Sequence, residues 1–297
     1  MRAFLLTLCV AGGFVGQTGA AEMKIDHATV CGTSVDALGA ILSAALFGVQ
    51  PEYGGPHSNH ATEMALVSFP DGSYLELMGI QAKADPAAVA KHEWSPFLRA
   101  NAGPCAFAMH VTDIERQVLD LKSAGITAGA PETAGRTRPD GTKLGWQTAS
   151  VGPGVRGSLF PFLIADRTPR ELRAYPGGKP TTEKFGGIAR VVVGVRDLQS
   201  AIDQYRKAFH LSAPMRQRDE RFGADLAWFD GTPFVLAEGI DGASWLTRRV
   251  SEYGDAPVAF LLGKGKGGMA GSPSDWFGKK VFWMDEKKLG WHLGILI

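Results

Sequence analysis

Apolar and polar positions repeat along this chain in one recurring order. The β-prone run Ile25-Asp26-His27-Ala28-Thr29-Val30 is followed by Ser34, then by Val35, Leu38, Leu42 and Ala45 at helical spacing. A serine hydroxyl there can take an otherwise unmet N–H of a first helical turn, so the segment reads strand, turn, helix. The order recurs at Ile188 to Val193, with Asp197 as cap and Leu198, Ala201, Ile202 and Tyr205 as the apolar face. His27 then falls opposite Arg190 without a gap. A third copy begins at Cys105 and runs to Val111, with Asp113 capping a helix that buries Ile114, Val118 and Leu121 and that Gly125 ends. Aligning the caps puts Ala106 where the first copy has His27. A fourth, degenerate copy starts at Pro257 and runs to Leu262; it has no clear helix, and residues 263–271 read as a flexible loop.

Each helix precedes strands separated by turn residues. Glu63 to Phe69 and Ser73 to Gly79 flank Pro70-Asp71-Gly72, and Ala224 to Phe229 and Pro233 to Ala237 flank Asp230-Gly231. A strand, a helix and about three strands form a unit whose sheet has one face to bury. The pattern predicts an α+β protein of repeated βαβββ modules paired into curved, partly closed sheets. Two paired-module domains follow, over residues 22–166 and 188–297, with a proline- and glycine-rich linker over residues 167–187.

The N-terminus adds a compartment. Arg2, the apolar run Ala3 to Val15 and the small residues Thr18-Gly19-Ala20-Ala21 read as a signal peptide over residues 1–21. The apolar run is too short to span a bilayer, and Leu8 before Cys9 makes a poor lipid-attachment motif. The expectation is a secreted or periplasmic protein without stable membrane insertion. Lysine plus arginine number 31 against 30 acidic residues, so no basic field points to nucleic acid. The expected partner is a small-molecule ligand, with homodimerisation open. Of the cysteines, Cys31 and Cys105 survive cleavage; export permits a disulfide between them, but the favoured reading is two buried apolar thiols.

Three groups of residues in the first half now carry a resemblance. Ile25-Asp26-His27, Gly54-Gly55-Pro56-His57 and Tyr74-Leu75-Glu76-Leu77 resemble the opening of the bacterial glyoxalase-like domain family, within the vicinal oxygen chelate superfamily. Gly135-Arg136-Thr137-Arg138-Pro139-Asp140-Gly141, Trp146 and Leu159 to Ile164 resemble its second half in the same order. The resemblance covers roughly residues 24 to 170 well and 186 to 297 only at superfamily level. It implies the vicinal oxygen chelate fold, with metal ligands on the first and last strands of each module facing a cleft. His27 and Glu76 match such positions, and would hold a divalent cation such as Zn, Fe, Mn or Ni, which acts as a Lewis acid on a substrate oxygen. Ala106 and Phe162 depart from the pattern, so a third ligand would have to be His60 or His57.

The resemblance thus implies a metal-assisted lyase, isomerase or dioxygenase acting on a small oxygenated compound, with Glu76 doubling as general base. The alternative is a metal-free binding or sequestration protein, as in the drug-resistance branch of the superfamily. In that case His27 hydrogen-bonds within the cleft and Glu76 pairs with a nearby arginine such as Arg138. A third possibility, a structural module, requires a cleft filled by side chains.

Other residues keep two readings each. Arg136 and Arg138 either flank a type I turn at Pro139 or clamp an anionic substrate. His110 shares a strand face with Ala106 and is either a cleft acid or base or a strand-end histidine. Trp94, Trp146 and Phe162 line a ligand pocket or belong to the core. Arg190 attracts a carboxylate or phosphate, or pairs with Glu238. His292 faces the second cleft or is a satisfied core residue. Lys264-Gly265-Lys266-Gly267-Gly268 lacks the spacing of a phosphate loop and reads as a surface loop.

Overall fold

The computed structural model describes residues 23–138, 140–267 and 273–297. The expected signal peptide and Pro139 lie outside them. The first half comprises β1 (Lys24–Cys31), α1 (Val35–Ala45), β2 (Glu52–Pro56), β3 (Thr62–Ser68), β4 (Tyr74–Ile80), α2 (Pro86–Lys91), α3 (Ser95–Arg99), β5 (Gly103–His110), α4 (Ile114–Ser123), β6 (Glu132–Thr137), β7 (Lys143–Ala149) and β8 (Phe162–Asp166). Then come α5 (Arg170–Ala174), β9 (Phe185–Gly194), α6 (Leu198–Phe209), β10 (Met215–Asp219), β11 (Ala224–Trp228), β12 (Phe234–Gly239) and α7 (Trp245–Tyr253). The chain closes with β13 (Ala256–Lys264), β14 (Ser274–Trp276), β15 (Lys279–Trp283), α8 (Glu286–Leu289) and β16 (His292–Leu296).

The sixteen strands form two eight-stranded sheets, ordered β2-β3-β4-β1-β5-β8-β7-β6 and β10-β11-β12-β9-β13-β16-β15-β14. Adding eight to each strand number turns the first order into the second, so the repeat read in the sequence is a repeat of topology. Within each module the first strand runs parallel to the last, as β1 does to β4 and β9 to β12. The modules meet along antiparallel central pairs, β1 with β5 and β9 with β13. Each sheet is curved and half-closed, the arrangement of two paired-module domains of the vicinal oxygen chelate fold.

Local signals act as their chemistry dictates. Ser34, Asp113 and Asp197 accept from the backbone N–H of Ala37, Arg116 and Ser200 and start α1, α4 and α6. Gly72 sits at φ 83° in the β3–β4 hairpin, where Asp71 Oδ1 accepts from the Ser73 N–H at 2.8 Å. The fourth module departs most, since its β13 already includes Gly263 and Lys264, which the sequence assigned to a loop.

One apolar core serves both halves. Ile25, Leu42, Phe107 and Leu163 belong to the same buried cluster as Phe185, Val191, Tyr205 and Phe260. The Tyr205 hydroxyl donates to the Leu159 carbonyl at 2.6 Å, and the Phe160 ring stacks on Tyr205 at 5.0 Å. Two expectations are corrected here. Cys31 and Cys105 are not free thiols but a disulfide joining the central strands β1 and β5. The segment over residues 167–187 is not a bare linker, because it carries α5, whose arginines reach back to Asp26 in β1. Among the described residues, no helix is long and apolar enough to cross a membrane.

Candidate ligand cleft in the first half

β1 and β4 are parallel neighbours in which His27 pairs with Tyr74 and Thr29 with Glu76. His27 and Glu76 are therefore offset by two positions and share one face. His27 Nε2 lies 3.8 Å from Glu76 Oε2, and the Thr29 hydroxyl donates to that same oxygen at 3.1 Å. Plain alternation from the core residue Ile25 would bury His27 in the core. A β-bulge against β5 changes this: Ile25 pairs with Met109 and His27 with Ala108, so Asp26 is the extra residue and His27 turns to the cleft.

Behind His27 lies a charge network. Its Nδ1 is 2.7 Å from Asp26 Oδ1, and Asp26 is fully buried. Arg173 donates to both Asp26 oxygens, at 2.9 and 2.8 Å, to Asp166 Oδ1 at 2.6 Å and to the Tyr74 hydroxyl at 2.7 Å; Arg170 also donates to Asp26. Burial alone would raise the Asp26 pKa, but the Arg173 charge, the His27 and Arg173 hydrogen bonds and the Arg170 charge together hold it well below the usual carboxylate range. Asp26 is thus an acceptor, so Nδ1 donates to it and Nε2 faces Glu76. Tyr74 stacks on His27 at 4.9 Å, and burial raises its phenol pKa, so it stays neutral.

The cleft above this floor has a volume of about 650 Å³ and also takes in His60, Arg136, Trp146, Phe162, Arg156 and Arg173. Its size suits a small organic ligand. Arg136 donates to the Gly54 carbonyl, and its buried Nε has no partner. Burial pulls its pKa down. Arg156 is instead neutralised by Glu93 at 2.7 Å and lies over the rings of Phe162 and Trp94 at 5.3 and 5.7 Å. His57, which also lines the cleft, bonds the Thr62 hydroxyl at 2.9 Å, and burial lowers its pKa.

The structure brings together His27, Glu76, His60, Arg136, Trp146 and Phe162, as well as Trp94. It separates three others. His110 ends β5 outside the cleft lining, with Nε2 3.7 Å from Asp166. Arg138 donates to the carbonyls of Leu172 and Pro176, which ties β6 to α5; it neither lines the cleft nor pairs with Glu76. Arg190 lies in the other half, its guanidinium 3.8 Å from the centre of the Trp228 ring, and burial lowers its pKa to about 10. Glu238 does not pair with it, because Glu238 accepts from the Leu198 N–H at 2.9 Å. His292 is a satisfied residue, 2.7 Å from Glu286 and stacked on Trp245. Sequence reasoning missed Arg156, Arg173, Tyr74 and His92 in this cleft, and the acidic residue next to His27 was the one available signal, for Arg173 and Tyr74 in the network behind it.

The expected metal set is incomplete. Among the described residues, no three His, Cys, Asp or Glu side chains converge as a metal site. His27 and Glu76 converge, but neither His60 nor His57 joins them, and Phe162 packs edge-on to His27 at 5.3 Å. The residues present do not fit a resident three-ligand cation. In the second half, Phe222, Trp276 and Trp283 pack together at 5.0 to 5.2 Å.

A family model described as a glyoxalase-like domain matches residues 25–209. Comparison with curated proteins gives no match. Among solved structures, a hypothetical protein from Staphylococcus aureus superposes with a TM-score of 0.63 at 16% identity, over 92% of this chain and 98% of that one. A triple mutant of 4-hydroxymandelate synthase from Streptomyces coelicolor superposes with a TM-score of 0.53 at 17% identity, over 82% and 71%. The match over residues 25–209 covers the module containing His27 and Glu76, the module that pairs with it and the start of the repeat, and the chain belongs to the glyoxalase-like domain family.

Proposed function

We propose that the first-half cleft binds a small oxygenated organic anion and that Glu76, with His27, moves a proton on it, an isomerase- or lyase-type activity. One observation carries this reading: His27 Nε2 and Glu76 Oε2 face each other across 3.8 Å on the cleft floor, with Asp26 behind the imidazole. Two acceptors at that separation are stabilised by a donor placed between them, such as a ligand hydroxyl. A carboxylate so placed can take a proton from carbon beside a carbonyl, the electron pair passing to the carbonyl oxygen, and the neighbouring imidazole can carry the proton onward. Arg136 supplies a cation with no carboxylate within ion-pair distance among the described residues, which suits a carboxylate on the ligand. The Cys31–Cys105 disulfide supports export, since such bonds persist in oxidising compartments.

The test uses the purified full chain in deuterated buffer with a panel of 2-oxo and 2-hydroxy acids. The expected result is a ligand-dependent rise in melting temperature together with solvent deuterium entering the ligand, the latter lost in Glu76→Gln. A thermal shift without exchange would reduce the function to binding. Stoichiometric metal in the wild type that disappears in His27→Ala would replace this reading with metal-assisted chemistry.

A further inference from the structure

A second cavity of about 630 Å³ lies on the seam between the two halves and shares no lining residue with the first cleft. Asn101 and Ala102 of the first half close one side; Arg248, Arg249, Trp245 and Lys287 of the second half form others. Its size is that of a small-molecule site. The charge in its wall is not compensated in the usual way. Among the described residues, Arg248, Arg249 and Lys287 form no ion pair. Arg249 spends two donors on main-chain carbonyls, those of Ala102 at 2.8 Å and Pro104 at 2.6 Å, and its Nε is buried without a partner. Carbonyl oxygens satisfy the geometry of a guanidinium but leave its charge standing. Burial brings the Arg249 pKa down to about 10, so it remains a cation at neutral pH.

The wall also holds two carboxylates, Glu252 and Glu286, the latter 2.7 Å from His292, against the three cations. The imidazole of His292 stacks on Trp245 with ring centres 4.2 Å apart, so the wall beside the cations is flat and aromatic. A cationic side next to an aromatic side recognises an oxyanion attached to an apolar or aromatic body.

We infer that this seam cavity is a second binding site, for a small organic oxyanion, a phosphate ester or carboxylate whose charge meets Arg248, Arg249 and Lys287 while its body lies against Trp245. Nothing in this assignment depends on the chemistry proposed for the first cleft. A ligand there touches both halves at once and ties Arg249 more firmly to the main chain of the first half.

The test is calorimetric titration of the full chain with phenyl phosphate, benzoate and inorganic phosphate. Saturable binding of phenyl phosphate or benzoate is expected, about tenfold tighter than inorganic phosphate. Phenyl phosphate stronger than benzoate marks a phosphate site, and the reverse order a carboxylate site. Arg248 and Lys287 are exposed, so the double variant Arg248→Glu, Lys287→Glu should keep the wild-type melting temperature while its dissociation constant rises about tenfold or more. Arg136→Gln, which removes the anion contact of the other cleft, should leave a saturable isotherm that belongs to the seam cavity and that the added Arg248→Glu and Lys287→Glu changes weaken. Absence of saturable binding, an unchanged constant in the double variant, or loss of binding in Arg136→Gln would each overturn the inference.

Discussion

Asp26 and His27 are neighbours in sequence, yet both side chains lie on the cleft side of β1, with His27 Nδ1 2.7 Å from Asp26 Oδ1. The bulge at this point makes that possible, since successive strand residues otherwise point to opposite faces. One backbone irregularity thus supplies both the imidazole and the carboxylate that orients it. The same register shift occurs in the second half between Leu261 and Leu262, where Arg190 and Ile188 pair with them and Ala189 holds the place of Asp26.

Asp26→Asn removes the negative centre between Arg170, Arg173 and His27. Unfolding in urea should show a loss of about 3–5 kcal/mol, the usual cost of stripping one partner from a buried charge cluster. The pH dependence has a definite sign. The folded pKa is depressed from the ordinary 3.8, so the contribution of Asp26 is complete above about pH 4 and is lost as the pH falls toward its folded value. Wild-type stability should therefore drop on acidification in that window, and the variant should lose most of that slope.

Reducing the disulfide should also be costly. Cys31 and Cys105 are separated by 74 positions, and the chain-entropy relation for a loop of that length gives about 4 kcal/mol. Guanidinium unfolding with and without a phosphine reductant measures it. A difference below about 1 kcal/mol would show that β1 and β5 are held by pairing and packing alone.

Arg136→Gln should separate binding from folding. The wild-type side chain keeps an unpartnered buried Nε, so removing it should change stability by less than about 1 kcal/mol. Carboxylate-induced thermal stabilisation of the first cleft should vanish. Melting curves of wild type and variant with and without ligand decide the matter.

Arg190→Met tests the other half. A guanidinium with an unpartnered Nη1 loses hydration on burial and recovers part of it by stacking on Trp228, and apolar replacement of such buried charges is often neutral or stabilising. The variant should fold, melt within a few degrees of wild type and bind first-cleft ligands unchanged. Loss of that binding would return Arg190 to the role its sequence position suggested.

Much of the architecture was legible because helix caps and hairpin turns are local signals, as at Ser34, Asp113, Asp197 and Gly72. His27 and Glu76 were legible only through the resemblance of their strands to a family whose ligands sit at those positions, since the repeats carry Ala106, Phe162 and Arg190 there. What was missed depends on distance along the chain. The Cys31–Cys105 bond and the reach of Arg173 to Asp26, 147 positions away, leave no local pattern, and Arg173 sat in a segment whose prolines suggested a bare connection. Arg138 and His110 erred for another reason. Counting residues fixes the face of a strand but not where the cleft ends, and both residues lie past its rim. Arg190 and Glu238 looked like a pair until Glu238 proved to be occupied by the start of α6.

The shared interior sets the terms on which the duplicated pattern can vary. Phe107 rests edge-on against Phe234 of the opposite sheet at 6.3 Å, so severing the chain near Pro180 would leave greasy faces on both fragments with nothing to cover them. Neither fragment should be recoverable as a monomeric soluble product.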